Sequence, residues 1–217
     1  VTHATPELLE RLSRVRRDPV EFLKCVRTRD EVDQKCPVKA FPWETDYVRL
    51  YAKLWVKERF LAVPKSRRMM MSWLNIALFT WDAMWNRGRA YAFVSKKEDD
   101  SDDLVKRAKF IVDNLDEKLL PKEIVPVCEY KYGKLTFPGI GSSISGFASG
   151  ADQLRQFTFT GILGDECAFW DNAQKMYAAS FPTLEGGGRF VLVSSPAPGF
   201  FAHLVHDQLE SFGEGDG

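Results

Sequence analysis

The sequence predicts an α/β domain: a mainly parallel sheet flanked by helices, preceded by a small N-terminal helical segment. Two observations carry this. Four short apolar runs have the length and composition of buried strands: residues 59–64 (RFLAVP), 89–95 (RAYAFVS), 158–164 (TFTGILG) and 189–194 (RFVLVS). Segments with helical spacing of apolar residues lie between them, and strands that alternate with helices pair in parallel under cover on both faces.

Taken in order, residues 1–40 read as helical, basic and weakly apolar, with Arg11, Arg14, Arg16, Arg17, Lys24, Arg27 and Arg29. Such a face is solvated by default, and otherwise offers a contact for DNA or a protein partner. Pro37 and Pro42 break the pattern and mark a boundary at 37–42. After the first strand, residues 71–86 form a helix with Trp73, Ala77, Trp81, Met84 and Trp85 near one face. Residues 97–120 form a charged amphipathic helix. Residues 134–138 and 143–148 flank Gly139-Ile140-Gly141, a hairpin signal. Helices are expected at 172–181 and 200–209, and Gly213-Glu214-Gly215-Asp216-Gly217 has the composition of a linker. The main domain is therefore expected over 41–212.

Composition narrows the function classes. The chain has 217 residues, 45% hydrophobic and 28% charged, which is ordinary for a soluble globular domain with one sizeable core. Thirty basic and thirty acidic side chains cancel, so any contact with nucleic acid must be local or come from assembly. No run approaches the roughly 20 apolar residues of a membrane span, and the N-terminal stretch lacks the apolar core of a signal peptide. Cys25, Cys36, Cys128 and Cys167 form no CxxC pair and read as free thiols. His203 and His206 stand at helical spacing without a third ligand, so a solvated face is their simplest role.

Three segments carry chemistry. The first is Lys65-Ser66-Arg67-Arg68-Met69-Met70-Met71-Ser72, between the first strand and its helix. It does not match GxxxxGK[ST]: Met70 stands at the second glycine and Met71 at the lysine. Its physical parts still suit a polyphosphate. The helix start offers unpaired N–H groups, Lys65 can swing toward the β- and γ-phosphates, Ser72 can bind Mg²⁺, and Arg67 and Arg68 add charge. A basic turn on a solvated edge, with methionines filling the core, is the other reading.

Next comes Ile162-Leu163-Gly164-Asp165-Glu166, an apolar strand ending in two carboxylates. Asp165 suits a Mg²⁺ ligand and Glu166 a base for the attacking water. Last, Val193-Ser194-Ser195-Pro196 ends the following strand in small hydroxyls that can sense a phosphate or its water.

Together these segments resemble the ATPase domain of the viral DNA-packaging terminase large subunit. That family has a variant phosphate loop, K-S-x-R-x-x-x-S, matched here at Lys65, Ser66, Arg68 and Ser72. Its strand ending in Asp-Glu is matched by Asp165-Glu166, and its coupling motif by Ser194-Ser195-Pro196. Met70 departs from a glycine often found in the loop. The resemblance covers about residues 41–210.

The resemblance implies an ASCE-type P-loop NTPase that uses ATP and Mg²⁺, with Lys65, Ser66, Arg67, Met70, Met71 and Ser72 on the nucleotide. It implies Ser72 and Asp165 on the metal, Glu166 activating water, Arg68 reading the γ-phosphate, and Ser194 and Ser195 coupling the site to motion. Trp43 stands where the family contacts adenine, or packs the N-terminal segment on the core. Arg155 stands where the family presents an arginine to the neighbouring subunit's site, or is a surface loop residue. Double-stranded DNA, a portal protein and a small terminase subunit are the implied partners. The implied assembly is a homo-oligomeric ring on the portal in the host cytoplasm, monomeric when isolated, with no membrane involved. The family's nuclease domain has no counterpart in this sequence. A helicase-like remodelling ATPase and a P-loop docking module without turnover are the alternatives.

Overall fold

The computed structural model describes residues 5–29, 38–66, 69–150, 154 and 156–206. The N-terminal segment starts with two helices, α1 (Pro6–Arg17) and α2 (Pro19–Cys25). Each opens by the same local chemistry. Thr5 and Asp18 accept backbone N–H groups at the N-caps, and a proline follows where its missing N–H costs nothing. The segment is not helical throughout as expected. Beyond Cys25 it becomes β1 (Arg27–Arg29) and β2 (Val38–Ala40), a two-stranded antiparallel sheet.

The main chain then runs α3 (Asp46–Lys57), β3 (Phe60–Pro64), α4 (Met71–Trp85), β4 (Ala90–Ser95) and α5 (Glu98–Asp113). Three strands follow: β5 (Glu129–Lys131), β6 (Lys134–Phe137) and β7 (Ser142–Ala148). β8 (Gly161–Asp165), α6 (Ala173–Glu185), β9 (Arg189–Ser194) and α7 (Phe200–Val205) complete the fold. The seven-stranded sheet has the order β3-β9-β8-β4-β7-β6-β5. Its first five strands are parallel, and β6 and β5 add an antiparallel edge. The expected hairpin is present as β6 and β7, but β7 also pairs in parallel with β4, and β5 is too short to read from sequence.

Two cores cover the two faces, and side chains alternate between them as strand geometry requires. Tyr91, Phe93, Leu163, Val191 and Val193 face a large core shared with α1 to α5. Ala92, Val94, Ile162, Phe190 and Leu192 face a smaller one closed by α6 and α7. Helix α4 is the centre of the large core. Every residue from Trp73 to Trp81 is buried, so the single apolar face expected for it gives way to burial all round. Trp81 Nε1 donates to Val15 O at 2.8 Å, which seats α1 on α4 and places the N-terminal helices in the same core as the sheet.

One buried carboxylate ties the antiparallel edge to α5. Asp102, 1% exposed, accepts from Tyr130 Oη and from Gly133 N, each at 2.6 Å, and pairs with Lys106 at 2.8 Å. Burial pushes its carboxyl up, but the bonds from Lys106, Tyr130 and Gly133 outweigh this and hold it below its ordinary value. A depressed folded pKa gives stability that is full above the ordinary carboxylate range and is lost as pH falls through the folded value. Asp102→Ala should therefore cost on the order of 1–2 kcal/mol at pH 7 by removing the bonds from Tyr130 and Gly133, since the exposed Lys106 is solvated in either case. In urea titrations its deficit should shrink toward pH 2, and a deficit independent of pH would refute the assignment.

Candidate functional site

The parallel register sets the site. Pro64 is paired opposite Ser194, and Asp165 opposite Val193, so β3, β9 and β8 end side by side at their carboxyl edge. Ligands of open α/β sheets bind outside this edge. The chain leaves β3 at Lys65, β8 at Glu166 and β9 at Ser195, and these three exits converge. Lys65 N donates to Ser194 O at 2.9 Å, which extends the β3–β9 ladder one residue into the loop.

The side chains meet across this edge. Lys65 Nζ lies 2.6 Å from Glu166 Oε1 although the two are 101 residues apart. The other oxygen of Glu166 accepts from Ser195 N at 3.1 Å and from Ser194 Oγ at 3.3 Å. Ser194 Oγ also accepts from Ala168 N at 3.1 Å, tying β9 to the turn after Glu166. On the other side, Ser72 Oγ in the first turn of α4 donates to Asp165 Oδ1 at 2.7 Å. Lys65, Ser72, Asp165, Glu166, Ser194 and Ser195 thus form one connected cluster.

The two neighbouring carboxyls are pushed in opposite directions. Burial pushes Asp165 up against the hydrogen bond from Ser72 and the charge of Lys65. Glu166 also feels burial, but Lys65, the Ser195 N–H and Ser194 hold it below the usual range. Asp165 is 9% exposed, whereas the Glu166 side chain is 36% exposed. The outer carboxylate is the one that water can reach.

Two residues bend the backbone to make this possible. Met70 (φ 51°) and Glu166 (φ 50°) both lie in the left-handed region without being glycine, at a cost of about 1 kcal/mol each. Met70 caps α4, and Leu74 N donates back to its carbonyl at 2.9 Å, so the preceding N–H groups of the first turn have no helical acceptor. Tyr47 Oη donates to Met69 O at 2.9 Å and fixes the loop from α3. At Glu166 the turn is held by Trp170, whose Nε1 donates to Asp165 O at 3.1 Å. Tyr47 and Trp170 are positioning groups, and Trp170 carries no motif, so the sequence offered no signal for it as part of the site.

Trp43, Ser66 and Met71 stand outside this hydrogen-bonded cluster. Trp43 is half-buried against the large core, with Lys24 Nζ 4.9 Å from its ring centroid. Ser66 lies in the loop, where its carbonyl accepts from Met69 N at 3.3 Å. Met71 is buried at the start of α4. Arg67, Arg68 and Arg155 lie outside the described residues. Cys25, Cys128 and Cys167 are free thiols, and Cys36 is not among the described residues. Among the described residues no cluster of three or more His, Cys, Asp or Glu could hold a metal, and no helix is long and apolar enough to cross a membrane.

No protein-family model matches the sequence. Solved structures do match the fold. The large terminase ATPase domain of Thermus phage P74-26 is similar with a TM-score of 0.52 and 17% identity, over 66% of this chain and 62% of that one. The large terminase of bacteriophage HK97 is similar with a TM-score of 0.64 and 11% identity, over 91% of this chain and 42% of that one. The large terminase of a thermophilic bacteriophage gives 0.51 and 14%, over 72% and 39%. The chain thus spans about three fifths of the matched ATPase domain and about two fifths of the larger chains. At these identities the likeness is one of fold: this chain has the α/β architecture of large terminase ATPase domains.

Gly164 shows how tightly the carboxylate turn is packed. A Cβ there would lie 2.6 Å from both Leu192 Cδ2 and Trp170 Cη2. Gly164→Ala should destabilise the fold by about 1–3 kcal/mol through overpacking and displace Trp170 from Asp165 O. A thermal melt and Trp fluorescence together test this; a variant with both unchanged would show that the turn has room to spare.

Proposed function

We propose that the chain is the ATP-hydrolysing motor domain of a DNA-packaging terminase, which drives double-stranded DNA into a procapsid. The observation that carries this reading is the convergence of Lys65, the Ser72–Asp165 pair and the Glu166–Ser194–Ser195 cluster at one sheet edge. A basic loop on a solvated edge has no reason to build such a cluster.

The chemistry follows from the positions. The free N–H groups at the start of α4 and the Lys65 ammonium would bind the β- and γ-phosphates, with a phosphate oxygen competing with Glu166 for Lys65. Ser72 Oγ and Asp165 Oδ1, 2.7 Å apart, are a hard-oxygen pair of the kind Mg²⁺ takes from a nucleotide site. When bound there, Mg²⁺ supplies charge neutralisation on the β- and γ-phosphate oxygens. Glu166, ionised and reachable by solvent, accepts a proton as water attacks. The oxygen–phosphorus bond to water forms while the bond from the γ-phosphorus to the ADP oxygen breaks.

Arg68 in the loop and Arg155 from a neighbouring subunit would take up charge on the γ-phosphate, and Trp43 would contact the base. Ser194 and Ser195 hold the same oxygen of Glu166, so neutralising that oxygen weakens two bonds to the end of β9 and loosens the chain leading to α7. A homo-oligomeric ring on a portal protein, served by a small terminase subunit in the host cytoplasm, is the assembly this role requires.

The reading is tested by Mg²⁺-dependent ATP hydrolysis measured against protein concentration. Glu166→Gln and Lys65→Ala should each lower the rate at least about 100-fold. Glu166→Gln should keep nucleotide binding, and wild-type activity should rise faster than linearly with concentration. Rates indifferent to both substitutions would remove the site assignment. Wild type without turnover at any concentration would leave a docking module of the same fold.

A further inference from the structure

We infer that the last turn of α1 forms, with the end of α4, a docking surface for the phosphodiester backbone of duplex DNA. Its core is Arg16 and Arg17, with Arg14 in the same last turn of α1 and Arg87 two residues beyond the end of α4. An open depression runs between the two helices, lined by Ser13, Arg16, Arg17, Trp85 and Asn86, with Leu9 and Leu12 as its apolar part. The chain as a whole is neutral, so the three arginines in the last turn of α1 are a local excess of charge.

How these arginines are held separates them from the others on the same helix. Arg11 is committed to the fold, its guanidinium donating to Lys118 O at 3.0 Å. Arg14, Arg17 and Arg87 are exposed and make no ion pair among the described residues. The nearest carboxylate in sequence, Asp18, caps α2 through Val20 N. Arg16 lies over the Trp85 ring at 5.7 Å from its centroid, which orients the guanidinium at the lip of the depression. The dipole at the end of α1 favours cations, and that effect amounts to a fraction of a kcal/mol for each exposed residue. It does not call for a further arginine on the neighbouring loop.

The geometry suits a phosphate ladder. Arg14 and Arg17 stand three residues apart on a helix, about 5–6 Å between Cβ atoms, and phosphates recur about every 3.4 Å of rise along one strand. Arginine binds phosphate through paired N–H donors, and the surface carries arginine throughout. Its position also makes mechanical sense. Helix α4 starts at the phosphate loop and ends at Trp85, 15 residues or about 22 Å away. One rigid, buried helix therefore joins the cluster around Lys65 and Asp165 to this surface. The choice of DNA over another polyanion rests on the motor reading above; the surface itself does not.

The test is duplex DNA binding by the full chain, followed by fluorescence polarisation from about 25 to about 200 mM salt, for wild type and Arg14→Glu/Arg16→Glu/Arg17→Glu. Losing three phosphate contacts should weaken binding at least about tenfold at low salt. It should also reduce the slope of log K against log salt by about 2.7. Arg14→Glu/Arg17→Glu, which leaves the Arg16–Trp85 contact alone, should give a smaller loss in the same direction and guards against unseating α1. Lys53→Glu/Lys57→Glu on α3 should not change the slope. Where the wild type hydrolyses ATP, the triple variant should keep its DNA-independent rate and lose stimulation by DNA.

An unchanged slope in both arginine variants, or no salt-dependent binding by wild type, overturns the proposal. The face would then be a solvated one or would take an acidic protein segment, which Leu9, 54% exposed at the rim, would also suit. A chain that binds DNA through these arginines without hydrolysing ATP would keep the surface and discard the motor.

Discussion

Everything at the candidate site depends on β3, β9 and β8 running in parallel and ending in step. Parallel pairing aims the carboxyl ends of three strands the same way, and the register of Pro64 with Ser194 and Asp165 with Val193 keeps those ends level. A slip of one residue on any of the three would turn its side chains to the opposite face. The two cores follow from this choice. Parallel strands need crossovers, and the helices that make them must cover both faces. Tyr91 and Phe93 on one side, with Ala92 and Val94 on the other, are the packing that this requirement produces.

Charge at the edge is managed by pairing instead of by exposure. Lys65 is nearly buried and has Glu166 within 2.6 Å, while Asp165 is buried with a hydroxyl donor. A buried charge without a partner would cost several kcal/mol, so these contacts are conditions of the fold as well as parts of a site. Backbone strain is confined to the same place. The non-glycine residues with positive φ among those described are Met70 and Glu166, one on each side of the cluster. Tyr47 and Trp170 hold the adjoining carbonyls, so the surroundings offset the strain.

Helix α4 gives the molecule its long-range connection. It begins at the loop that carries Lys65 and Met70, runs through the large core, and meets α1 through Trp81 and Trp85. Burial on all sides leaves it little freedom to bend. The N-terminal helices are thus packed onto the far end of the element that starts at the site.

The larger elements and the motif positions were legible in the residues alone. Apolar runs of strand length alternate with helical periodicity strongly enough to give the sheet class. Strand ends marked by Lys65, Asp165-Glu166 and Ser194-Ser195 located the candidate site, because charged and small polar residues interrupt an apolar run only where the strand leaves the core. Short strands were not legible. β1, β2 and β5 have three residues each, too few to show a period, and exist through their partners. The all-round burial of α4 was hidden too, since a helix pattern does not say how many layers lie around it. Which groups meet is settled in the folded chain. Lys65 and Glu166 are distant in sequence, and only the insertion of β9 and β8 between β3 and β4 brings them together. The left-handed turns at Met70 and Glu166 are of the same kind. Neither residue type favours that conformation, so nothing local announces it, and the contacts of the folded chain impose it. Local propensity and apolar periodicity act over a few residues; the site is assembled from loops brought together by strand order, and strand order is a property of the whole chain.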